Sequence, residues 1–172
     1  MTNSITYKQL ILLFEDFQKR HLQLNDFYTG DVSQFGDSES FTYPVLAAIP
    51  GQVLFSKGEG DYYGGMVYNY NIIFGDLVKR DESNEINVRN ETLQIAMDFV
   101  AELDQHPYFN ENDIMVIGDL VLDPFTERFT DLIAGWVLQL QIRTPFDTSY
   151  CIAPSFDISD DKQDLKDRCD VE

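Results

Sequence analysis

Residues 132–143 read Leu-Ile-Ala-Gly-Trp-Val-Leu-Gln-Leu-Gln-Ile-Arg. Leu132, Ala134, Trp136, Leu138, Leu140 and Ile142 share one parity, and the other parity ends in Gln139, Gln141 and Arg143. A period of two belongs to a β-strand with one face on a core and the other in water. At ~3.3 Å per residue the stretch spans roughly 40 Å, long for a strand. It predicts the backbone of an antiparallel sheet. Trp136, the single tryptophan, reads as a central core side chain rather than a binding platform, because its neighbours on that face are aliphatic.

Upstream, Thr6 is a candidate N-cap, and Gln9 three residues later completes a capping box. Tyr7, Leu10, Ile11, Phe14 and Phe17 then fall on one side of a helix over 6–20. His21 follows as a C-terminal capping residue. Residues 24–40, rich in Asp, Gly and Ser, read as a long irregular loop. Two short apolar runs, 43–49 and 52–57, flank Pro50-Gly51 and suggest a hairpin. Residues 58–61 form a further turn. A long strand is predicted over 66–78, with Tyr68, Tyr70, Ile72 and Phe74 on one face and Val67, Asn69, Asn71 and Ile73 on the other. The Tyr/Asn alternation reads as a packing row, with a stacking platform for sugars or bases as the alternative.

Residues 79–87 are a charged connector, and Asn87 can cap a helix over 88–104. Leu93, Ala96, Met97, Val100 and Leu103 mark its inner stripe, widened by Ile95 and Phe99. A loop over 105–112 contains Pro107. A strand over 114–122 is expected to break or bulge at Asp123-Pro124, and 125–129 lead into the strand at 132, which Pro145 closes. Strands in runs, without βαβ alternation, imply an α+β fold: an antiparallel or mixed sheet with helices packed on one face, long loops and an acidic C-terminal tail. The division is one domain over 1–156 and a tail over 157–172, the tail carrying seven carboxylates and little apolar content.

At 172 residues the chain is long enough to bury its own core without staples. The N-terminus lacks the basic and apolar regions of a signal peptide, and no apolar run is long enough for a membrane span, so no membrane partner is expected. Cys151 and Cys169 form neither a metal pattern nor a disulfide framework, which fits a reducing cytosol. The net charge of −18 argues against binding nucleic acid by neutralising phosphates.

The residues also argue against an enzyme. His21 and His106 are the only histidines, and Asp104 beside His106 has no nucleophile motif to serve. Gly58-Glu59-Gly60 lacks the lysine of a P-loop. Asp119 and Asp123 read as a solvent-facing strand end rather than a metal pair. No catalytic, cofactor-binding or metal-ligating residue is assigned, and no cofactor is expected.

The order α-β-β-β-α-β-β over 6–154 resembles phage tail terminator and tail-completion proteins. The likeness is carried by the first helix, the Pro50-Gly51 hairpin, the strand 67–78, the helix 87–104 and the strands 114–122 and 132–142. The wording Thr126-Glu127-Arg128-Phe129-Thr130-Asp131-Leu132-Ile133-Ala134-Gly135-Trp136, with Ser149-Tyr150-Cys151-Ile152-Ala153-Pro154 beyond, is similar to neck and tail proteins of crAss-like phages of gut bacteria. The 24–40 loop and the acidic tail depart from that pattern.

The resemblance implies a structural, non-enzymatic ring subunit of the virion neck or tail, made in the host bacterial cytoplasm. It would self-associate with six- or twelve-fold symmetry. It would contact adjacent ring or portal proteins and surround passing genomic DNA without binding it specifically. Glu59 and Asp61 in the turn 56–64 are the lumen-facing candidates, with Lys57 of opposite sign beside them. The alternative is a soluble protein-binding module or assembly chaperone of the same fold.

Overall fold

In the computed structural model, which describes residues 5–32, 41–57, 63–128 and 131–146, the two longest predicted strands lie side by side at the centre of a six-stranded sheet. They are β3 (Tyr63–Leu77) and β6 (Leu132–Pro145). They pair antiparallel from Gly65↔Pro145 to Leu77↔Ile133 without a register shift. The alternation holds from Leu138 to Ile142, where Leu138, Leu140 and Ile142 are buried and Gln139 and Gln141 exposed, whereas nearer the start both faces are covered and Ile133, Ala134 and Gly135 are all buried. A one-residue slip would turn every side chain of the alternating part to the wrong face, so the pattern itself fixes the register.

The sheet is mixed. β1 (Asp26–Thr29) pairs parallel with β2 (Val45–Lys57), and β2 pairs antiparallel with β3. Two expectations change here. The first part of the expected 24–40 loop is β1, four residues too short to display a period; residues 33–40 lie outside the described segments. Pro50-Gly51 makes no turn. The strand runs through it, with a register shift between Pro50 and Val53. β1 reaches only as far as Ala48, so Pro50 sits where β2 has a partner on one side, and its missing N–H is tolerated there.

On the far side of β6 lie β4 (Met115–Val116) and β5 (Val121–Arg128), which together form one interrupted edge. Residues 117–120 face only Leu140 and Gln141 on β6, so extra chain bulges out, with Gly118 at φ +76. The expected break at Asp123-Pro124 is therefore misplaced. Pro124 lies within β5, opposite Trp136, on an edge strand that can accept it.

α1 (Tyr7–Arg20) begins as its sequence predicts. Thr6 Oγ1 accepts from the Gln9 N–H at 3.3 Å, and Gln9 Oε1 accepts from the Thr6 N–H at 2.7 Å. α2 (Glu85–Gln105) starts earlier than expected, after Asn84 rather than Asn87. The Asn84 side chain binds the end of β3 instead of the helix, accepting from the Lys79 N–H and donating to the Leu77 carbonyl. The inner stripe of α2 is Val88, Thr92, Ile95, Ala96, Phe99 and Leu103. The expected stripe is rotated sideways: Leu93 and Val100 are half-buried, and Met97 is 54% exposed. A short helix, α3 (Pro107–Glu111), replaces the expected loop, with His106 Nδ1 accepting from the Tyr108 N–H.

Both long helices cover one face of the sheet. Phe99 is the hub between them, its ring 5.8 Å from Phe14, 5.0 Å from Phe17 and 5.5 Å from Phe74. Phe14 also meets Tyr70 edge-on at 5.2 Å. The opposite face carries a smaller cluster of Val45, Ala47, Ile49 and Ile73, shielded by Tyr28, Phe41, Tyr43 and Phe125. The α+β class, with helices packed on one face of a mixed sheet, is thus the observed one.

Trp136 lies on the helix side as expected, yet it is half-buried rather than central. Its ring reaches the first turns of α2, where Nε1–H donates to the Arg89 carbonyl at 2.8 Å. The polar end of an indole needs such a partner, and a helix carbonyl beside the sheet edge supplies it.

Candidate assembly surfaces

The β2–β3 hairpin runs past the helices as an arm. Every residue of β2 from 50 to 55 is exposed, and Val53, Leu54 and Phe55 are 44–53% accessible. Beyond Ala48 no neighbour pairs with the outer side of β2 among the described residues. Phe55 packs edge-on against Phe146 at 5.2 Å and against Tyr63 at 6.2 Å. The arm therefore combines an open strand edge with exposed aliphatic and aromatic side chains, the combination that recruits another chain. The expected turn with Glu59 and Asp61 lies outside the described residues, as do the Cys151–Cys169 region and the 157–172 tail. Lys57 is described, and its ammonium sits 6.0 Å from the Tyr63 ring centre.

The Tyr/Asn alternation of β3 does not form a stacking platform. Tyr68 and Tyr70 are buried under α1, and the burial pushes both hydroxyls above their ordinary range. The asparagines point the other way, into a row of amides. Gln141 donates to Asn69 at 2.9 Å, Asn69 donates to the Gln52 carbonyl at 2.7 Å, and Gln139 donates to Asp123 at 3.0 Å. Asp123 is thereby engaged in the sheet's polar face.

The residues weighed for catalysis are not brought together. His21 Nε2 lies 3.3 Å from Asp98 and its ring packs on Phe17, tying the end of α1 to α2. His106 caps α3. Arg20 bridges α1 to α2 through Glu102, and its hydrogen bonds to Glu102 and to Asp16 of its own helix hold the guanidinium firmly ionised. Among the described residues, no three His, Cys, Asp or Glu side chains converge to hold a metal ion. No helix among them is long and apolar enough to cross a membrane.

One carboxylate is placed at a cost. Asp76 is half-buried on β3, and burial raises its pKa above the ordinary 3.8, with Glu91 adding to the effect and the Leu77 N–H opposing it. A raised carboxyl means folding disfavours the charged form. That penalty is complete above the folded pKa and vanishes below 3.8. Asp76→Asn is therefore expected to raise the melting temperature at pH 7 and to lose this advantage as the pH falls toward 3.8. Melts of both proteins across that range check it; an advantage that persists in acid would point to another cause. Tyr43 beside it is pushed up to about 12, first by burial and then by Asp131 and Asp76.

Compared with known proteins, the chain matches no protein-family model, and no curated protein matches it significantly.

Proposed function

We propose that the protein is a structural ring subunit of a phage neck or tail, surrounding the DNA exit channel and joining adjacent rings. The observation that carries this reading is the β2–β3 arm, which holds exposed apolar side chains and an open strand edge on a rigid sheet. A ring subunit needs a body that does not deform and a projection that grips its neighbour. The paired β3–β6 core and the arm supply these. The charge of −18 per subunit supports the same reading, because like charge keeps a passing duplex off the wall. The resemblance in element order to tail terminator and tail-completion proteins adds to it, as does the similarity of residues 126–136 to crAss-like phage neck and tail proteins. On this reading the protein resides in the virion, after synthesis in the host bacterial cytoplasm.

Size-exclusion chromatography with mass measurement tests the reading. The expected species is a six- or twelve-fold multiple of 19.8 kDa, with rings visible by electron microscopy. Phe55→Glu should abolish the ring at only a small cost in melting temperature, since the side chain is half exposed and its contacts are confined to Tyr63 and Phe146 of the arm. The ring should not retain duplex DNA at physiological salt. A protein that stays monomeric at high concentration would defeat the ring and leave the alternative, a soluble protein-binding module or assembly chaperone of the same fold. The open groove beside α2 is the feature that favours that alternative.

A further inference from the structure

The helix layer stops one strand short of the sheet's edge. α1 lies over β1, β2 and the Tyr70 end of β3, and α2 over β3 and β6. Beside α2, above the β4–β5 edge, a groove of about 610 Å³ remains open. Its wall is the C-terminal half of α2, with Met97, Val100 and Asp104, and its floor is Leu120, Leu122 and Leu138. The other end of α2 is clasped shut. Arg89 Nη2 donates to Glu85 at 2.8 Å and to Thr126 of β5 at 2.7 Å, and Trp136 holds the Arg89 carbonyl. The helix is therefore fixed at its start, while among the described residues nothing covers the apolar trough along its second half. The rotation of the α2 stripe has the same origin: Leu93, Met97 and Val100 form a second apolar row beside the one that meets the sheet.

Charge says what enters. The one charged lining residue, Asp104, is negative, and residues 90–127, which supply every lining side chain except Leu138, hold no lysine or arginine. Asp104 stands on the wall, and Asp119 is exposed between the lining residues Gly118 and Leu120. Geometry says in what form. Pro124 interrupts the donors of β5, so strand addition along that edge is poorly supported, whereas the groove lies in the helix layer, alongside α2.

We propose that the groove between α2 and the β4–β5 edge receives an amphipathic helix of another protein, apolar on the face that enters and flanked by lysine or arginine. This goes beyond the ring reading and does not rest on it. The probe is a designed peptide of about four helical turns, with leucines on one face and lysines elsewhere, against a peptide of the same composition with the leucines scrambled. Titrated into the full chain at physiological ionic strength, the amphipathic peptide should bind at least ~10-fold more tightly than the scrambled one. Met97→Glu adds negative charge while removing the apolar wall, and it should erase that difference without lowering the melting temperature. Asp104→Asn with Asp119→Asn should weaken the amphipathic peptide and flatten its salt dependence. Equal binding of the two peptides, or a difference that survives Met97→Glu, would overturn the proposal. Self-association of the chain that Met97→Glu abolishes would also overturn it, by placing a second copy in the groove.

Discussion

Gly135→Ala is expected to leave the chain unable to form its central sheet. Gly135 lies opposite Gly75 in the β3–β6 ladder, and an alanine Cβ there would overlap the Phe74 carbonyl oxygen. It would also come within 2.9 Å of the Phe74 carbonyl carbon and 3.1 Å of Gly75 Cα. All three are backbone atoms, so no side chain can swing aside. The strands must separate at the point where the sheet is most continuous. A loss of more than about 4 kcal/mol is expected, enough to unfold most domains of this size. Gly75→Ala is the control. Its Cβ would meet Ile133 Cγ2 at 3.1 Å and Phe125 Cζ at 3.5 Å, side-chain atoms that can shift, so its cost should be far smaller. Thermal melts followed by circular dichroism decide between them; equal effects of the two substitutions would mean the strands are not so closely apposed at Gly135.

Phe99→Ala should cost about 3–5 kcal/mol. Phe99 is 1% exposed and touches both helices and the central strand through Phe14, Phe17 and Phe74. Its removal leaves a cavity that cannot collapse without moving α1, α2 and β3 toward one another. Phe99→Leu, which refills part of the volume, should recover a large share of the loss. Urea denaturation checks both. A loss below about 1 kcal/mol for the alanine variant would mean the two helices are not held through this ring.

Where a signal in the chain is local and repeated, the fold is legible. The capping box at Thr6 and Gln9 starts α1 where it should, and the parity of Leu138, Leu140 and Ile142 places β6 correctly. The two proline misreadings share a cause: edge positions relax rules that hold in sheet interiors. Pro50-Gly51 and Asp123-Pro124 look like breaks, yet each proline lies in a strand with a partner on only one side. The real interruption, at residues 117–120, is marked only by Gly118, because the bulge depends on how much of β6 must be matched. α2 carries two adjacent apolar rows, and periodicity cannot say which of them meets the sheet. The arm was equally hidden. Val53, Leu54 and Phe55 are a short apolar run in the sequence, and their exposure is set by the tertiary fold.

The placement of β6 also governs the order in which the molecule can be completed. It is the last strand of the described fold and it lies in the middle of the sheet, between β3 and the β4–β5 edge. On a ribosome, β3 therefore emerges long before its partner, with Ile72, Phe74 and their neighbours along an open strand side. Pairings so distant in sequence form slowly and leave apolar edges exposed meanwhile. A nascent chain arrested before residue 132 holds both helices yet cannot close the sheet. Premature termination should thus yield aggregates rather than a smaller folded domain.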